Sequence, residues 1–115
     1  MKTLYAALFA IALSACATTP QNPQQAVFIA KQDYTVALTI AVAYKRLPPC
    51  TPTLTLCADP VIVRKLQVAD DSAIVMLDGA ELAVRSGGTG ADVAIAVAEQ
   101  AVKVLTILTA KLKVN

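Results

Sequence analysis

Apolar residues recur at alternating spacings of three and four along three long stretches of this chain, which is the period of an amphipathic helix and not of a strand. In the first stretch Val27, Ala30, Tyr34, Ala37, Ala41 and Tyr44 share one stripe, while Lys31, Thr35, Thr39 and Arg46 fall toward the other side. The second stretch aligns Ile62, Leu66, Ala69, Ala73, Met76, Ala80 and Ala83, with Arg64, Asp71, Asp78 and Arg85 following one another at intervals of seven on the opposite edge. In the third, Val97, Ala101, Leu105, Leu108 and Leu112 form the stripe, and Asp92, Glu99, Lys103, Thr106 and Lys113 lie across from it.

Helix start and stop signals bracket each stretch. Asn22-Pro23-Gln24-Gln25 places a capping asparagine before a first-turn proline with a glutamine at the third position, and Asp59-Pro60 repeats that start. Pro48-Pro49 closes the first stretch. Ser86-Gly87-Gly88-Thr89 forms a tight link, because glycine takes the left-handed conformation that ends a helix, and Thr89 with Asp92 makes a capping-box-like start for the next. Glu81 and Arg85 form a favourable i, i+4 pair, and Lys111 and Lys113 suit the negative pole of the last helix. Gly79 weakens its helix unless a neighbouring helix needs the space, and close packing is the expected reason for it. The pattern predicts an all-α fold, an up-down-up antiparallel three-helix bundle with helices at about 23–47, 60–86 and 90–113. Alanine is frequent on the inward stripes, so the axes are expected to approach closely. No side-chain pattern beyond cap and period repeats among the stretches, which argues against a solenoid.

Ahead of the bundle the pattern changes. A cationic Lys2 precedes an uncharged run over residues 4–15 that ends in Leu13-Ser14-Ala15-Cys16. As a helix this run spans only about 18 Å, short of the ~30 Å hydrocarbon core, so it reads as an export signal and not as a retained span. Positive residue, apolar core, small residues and cysteine in that order resemble the lipobox of a bacterial lipoprotein signal peptide. The resemblance implies cleavage between Ala15 and Cys16, a diacylglyceryl group on the Cys16 thiol and acylation of the freed amine. Two or three acyl chains hold a protein at a bilayer for long periods where one does not. The implied organisation is a signal peptide at 1–15, a lipidated tether at 16–22 and a bundle domain at 23–115. Ala17 is not the aspartate of an inner-membrane retention signal, so the expected location is the bacterial cell envelope, at the outer membrane facing the periplasm.

Cysteine usage agrees with an oxidising compartment. Beyond Cys16 there are two cysteines, Cys50 and Cys57, which read as a disulfide closing an eight-residue loop rich in threonine and proline. A redox or metal site is disfavoured, because the spacing is not Cys-x-x-Cys and the chain contains no histidine. Removing Lys2 leaves 9 of the 10 basic residues against 8 acidic ones, so no net charge draws the chain to nucleic acid.

Catalytic material is sparse. Ser72 and Ser86 are the only serines after the signal, and Gly87-Gly88-Thr89-Gly90 follows a helix and lacks the lysine of a phosphate loop. Asp70, Asp71, Asp78 and Glu81 read as a solvated face, and Tyr34 and Tyr44 as core fillers with hydroxyls at the rim. No enzyme activity, metal or cofactor is expected.

Apolarity carries the functional lead. From Cys16 onward 53 of 100 residues belong to the hydrophobic set, above the ~45–50% usual for soluble domains. Val68, Val75 and Leu82 recur every seven residues away from the inward stripe, and Phe28 and Val42 lie on the otherwise polar side of the first helix. Three helices cannot bury all of these. The expectation is a lipid-anchored, non-enzymatic interaction module that uses a face containing Phe28, Val42, Val68, Val75 and Leu82 to self-associate or to dock on another envelope protein. The alternative is a lipoprotein active at the membrane interface, as small toxin or immunity lipoproteins are; a compact helical lipoprotein with a short cysteine loop also resembles some uncharacterised products of bacterial and prophage genomes, a resemblance that implies phage exclusion as a conceivable task.

Overall fold

The computed structural model describes residues 22–112; the expected signal peptide, Cys16, the rest of the tether before Asn22, and Lys113 lie outside the described residues. Three helices form, α1 (Pro23–Lys45), α2 (Pro60–Ser86) and α3 (Ala91–Ala110), with no strand among the described residues. Each packs against the other two. Shared clusters fix the directions. Val27 and Ala30 at the start of α1 meet Leu77 and Ala80 late in α2 and Ile95 and Ala98 early in α3. Ala41 and Tyr44 at the other end meet Leu66, Ala69 and Leu105. The helices therefore run up, down and up.

The start signals act locally as their chemistry dictates. Asn22 Oδ1 accepts the Gln25 N–H at 2.8 Å, and Asp59 Oδ1 accepts the Val61 N–H at 2.8 Å, satisfying first-turn donors that have no helical partner. α2 ends at Gly87, whose φ of 66° is the left-handed conformation that only glycine takes without strain. α3 differs from expectation: its cap is Gly90, no side chain caps it, and the Thr89–Asp92 box does not form because the helix starts at Ala91, one residue late. α1 stops at Lys45, two residues short of 47, where the Leu47 N–H turns back to the Tyr44 carbonyl at 3.0 Å. α3 gives way to a turn after Ala110.

Cys50 and Cys57 are joined in a disulfide between α1 and α2. Around it the Ala58 N–H donates to the Pro48 carbonyl at 2.8 Å, and the Asp59 N–H donates to the Tyr44 hydroxyl at 2.9 Å. The loop is thereby tied at its neck to the last turn of α1 and the cap of α2.

The inward stripe of α1 is buried as the spacing predicts, except that Tyr34 is half-buried. The stripes of the other helices differ more: Ile62, Ala83, Ala101, Leu108 and Leu112 are half-buried, and Met76 and Val97 are exposed. α2 buries Leu77 and leaves Met76 39% exposed, because the stripe steps by four after Ala73 and not by three. α3 turns Ile95, Ala98, Val102, Leu105 and Thr109 inward, while Val97 is 44% exposed. A helix apolar on several sides satisfies the three-four spacing in more than one rotation, and the alanines of the facing helices select among them. Buried Thr109 meets its hydrogen-bonding need by donating to the Thr106 carbonyl at 3.0 Å. Gly79 also departs from expectation: it is exposed, and a Cβ there would meet nothing within 4 Å, so no helix of this chain uses the space.

Candidate functional site

Alanine is the commonest residue of the interior, while several large apolar side chains remain outside. Of the sixteen buried apolar residues nine are alanine, and Leu105 is the one large side chain fully buried among the described residues. Alanine removes little apolar area from water per residue, so most of the burial in the core comes from its larger members, Tyr44, Leu66, Leu77, Ile95 and Leu105. Other large apolar side chains are left at the surface.

Their placement is ordered. On α2, Val61, Val68, Val75 and Leu82 recur every seven residues and are 63, 62, 64 and 69% exposed, a uniform stripe along the outer face. Successive steps of seven drift by only ~20° around a helix, so the four share one side over about six turns. Val68 and Val61 also line a groove of about 630 Å³ between α2 and α3, opposite Val104 and Leu108 and bordered by Arg64 and Lys65. Val93, Val97 and Val104 leave further apolar surface on α3.

The five residues singled out by the sequence do not form one patch. Phe28 and Val42 lie over the seam between α1 and α2: Phe28 lines a groove with Lys31, Glu81 and Arg85, and Val42 lines another with Val63, Gln67 and Asp70. Val68 lies on the opposite flank of α2. The sequence reading missed Val61, although its place seven residues before Val68 was the available signal, and it missed Val97 by assigning it inward.

Charge along the same helix is mixed. Arg64 and Lys65 lie in the first two turns of α2, Asp70 and Asp71 just before its midpoint, and Asp78 and Glu81 beyond it ahead of the terminal Arg85. Two of the carboxylates are engaged across the α1–α2 seam. Glu81 pairs with Lys31 of α1 and with Arg85 of its own helix. The Lys31 hydrogen bond, with help from Arg85 and against some desolvation, holds the Glu81 carboxyl below its ordinary value of 4.5. Asp70 Oδ1 accepts the Tyr34 hydroxyl at 2.7 Å. Burial first, then that hydrogen bond and the nearby negative charges of Asp70, Asp71 and Asp78, raise the Tyr34 hydroxyl above its ordinary 10.0. Tyr44 likewise spends its hydroxyl on the Asp59 backbone. Both tyrosines thus act as fillers with tied rims. Lys65, Asp71 and Asp78 are exposed on the outer side of α2.

Other candidates are accounted for by local structure. Ser86 donates to the Leu82 and Ala83 carbonyls within its own helix. Gly87 ends a helix. Among the described residues no group of three or more histidine, cysteine, aspartate or glutamate side chains is placed to hold a metal ion. By length and composition α1 and α3 are apolar enough to cross a membrane, a test that helices of a soluble bundle also pass.

Against protein-family models, curated proteins and solved structures, the chain finds no match.

Proposed function

We propose that this chain is a small lipid-anchored protein of the bacterial cell envelope that works as a non-enzymatic interaction module, held to the membrane through Cys16 and engaging a partner through the outer face of α2 and its border with α3. The observation that carries the reading is the periodic valine and leucine stripe, 62–69% exposed, along the outer face of α2. Scattered exposed apolar residues need no explanation, whereas a continuous stripe beside an apolar groove marks a contact surface. The signal-like run ending in Leu13-Ser14-Ala15-Cys16 supports delivery to the outer membrane on the periplasmic side. The loop cystine suits an oxidising compartment.

Two measurements test the proposal. Metabolic labelling with a fatty acid is expected to mark the wild type and not Cys16→Ser. Sizing chromatography of the unlipidated domain is expected to show association that rises with concentration and is lost in Val68→Asp/Val75→Asp. Absence of label removes the anchor. A strictly monomeric domain whose face is also freely accessible in native envelopes removes the interaction role.

A second reading is favoured by the apolar character of α1 and α3, in which the bundle lies in the membrane interface and perturbs it. Liposome flotation separates the two, since interfacial insertion predicts that the Cys16→Ser chain floats with vesicles of anionic or neutral lipid and a protein-docking face predicts that it does not.

A further inference from the structure

We infer that the groove between α2 and α3 holds the acyl chain of an anionic phospholipid, with the phosphate of its headgroup on Arg64, Lys65 and Lys111. This rests on the reading of the α2–α3 border as a contact surface and names a ligand for it.

Shape comes first. Ala69, Ala101 and Leu108, buried or half-buried, form the floor of the groove, and Val61 and Val68 of α2 face Val104 of α3 across it. Its volume of about 630 Å³ lies within the ~300–1,000 Å³ of small-ligand sites. From Val61 to Ser72 the groove follows α2 for about 16 Å, at ~1.5 Å per residue, an elongated apolar trough that suits an extended hydrocarbon chain.

Charge selects the head. Arg64 and Lys65 line the groove, and no carboxylate lines it. Lys111 follows Val104 and Leu108 by seven and three residues with helical backbone angles, so it stands on the same side of α3, at the end of the groove nearest Val61. All three cations are exposed, and none takes part in an ion pair among the described residues. The carboxylates close in sequence are committed or set aside: Asp59 Oδ1 accepts the Val61 N–H, Asp70 Oδ1 accepts the Tyr34 hydroxyl, and Asp71 lies seven residues beyond Arg64 on the flank of α2 away from α3. A phosphate takes two parallel hydrogen bonds from a guanidinium, and the two ammonium groups complete its neutralisation. The diacylglyceryl group expected on Cys16 carries no charge, so the chain's own anchor does not satisfy these cations.

Photocross-linking of the full chain in native membranes tests the inference. Cells are grown on a diazirine fatty acid, which enters their phospholipids, and are irradiated; adducts on the purified chain are mapped by mass spectrometry. A phosphorus-bearing adduct is expected within residues 61–72 and 101–108, with anionic headgroups enriched over their share of the membrane. Arg64→Gln/Lys65→Gln/Lys111→Gln, all at exposed positions, is expected to lower its yield by at least about tenfold, since each charge-assisted bond to phosphate is worth more than that step. Ser72→Trp, also at an exposed position, fills the groove while keeping every charge and is expected to lower the yield likewise. Undiminished yield in either variant, adducts spread evenly over the exposed apolar residues of all three helices, an adduct without phosphorus, or headgroups in membrane proportion each overturn the inference. If no lipid adduct forms but Val68→Cys is shielded from a bulky maleimide until detergent is added, a protein covers the border, and the interaction reading stands without this ligand. If none forms and Val68→Cys is freely labelled, both fall.

Discussion

Two tyrosine hydroxyls show how single side chains fasten this bundle. Tyr44 is 5% exposed and its oxygen accepts the Asp59 N–H, tying the end of α1 to the start of α2. Tyr44→Phe removes the acceptor and is expected to cost about 1–2 kcal/mol in chemical denaturation, with helical content unchanged. Tyr34 couples to pH. Its folded hydroxyl titrates above the ordinary 10.0 that applies in the unfolded chain, so the folded state holds the proton more tightly. Its contribution is fully present below pH 10 and is lost as pH rises beyond it. Wild type is therefore expected to lose stability above pH 10 more steeply than Tyr34→Phe. The two proteins share every lysine, so the difference between their alkaline unfolding curves isolates this one group.

At the scale of elements, the exposed Gly79 is a destabilising residue with no packing role inside the chain. Gly79→Ala is expected to stabilise the monomer by about 1 kcal/mol and to raise its melting midpoint by about 4–8 °C. Between α1 and α2, the Cys50–Cys57 bond closes a short loop whose neck is also held by the Ala58 and Asp59 backbone bonds. Replacing both cysteines by serine is expected to lower stability by about 2–3 kcal/mol in urea denaturation while the far-ultraviolet circular dichroism keeps its helical form. These elements were legible in the sequence because their signals are local: Asn22, Asp59 and Gly87 act on backbone groups within one turn, and the short-spaced cysteines leave few alternatives. Rotation of the helices was less legible. Met76 against Leu77, and Val97 against Ile95 and Ala98, satisfy the same spacing, and only the partners across the core decide between them. The Thr89–Asp92 cap failed for a related reason, since a glycine-rich link permits a start at either of two adjacent residues.

For the molecule as a whole, the apolar residues that hold the fold and those left on the outer stripe are different sets. Leu105→Ala removes the one large side chain that is fully buried among the described residues and is expected to cost about 2–5 kcal/mol. Val75→Ser, on the outer stripe, is expected to change the stability of the monomer by less than about 0.5 kcal/mol, read by denaturation at concentrations below association. The candidate face was partly visible in advance through the seven-residue recurrence of Val68, Val75 and Leu82. Its division from Phe28 and Val42 was not, because the two flanks of one helix are told apart only once its neighbours are in place.

The direction of α1 has a last consequence. Asn22 opens the bundle at the tip opposite the cystine loop, and α1 alone is about 35 Å long. The two tips of the bundle therefore stand a full helix apart, so whatever is joined to the chain ahead of Asn22 meets the pole opposite the one that the cystine stiffens.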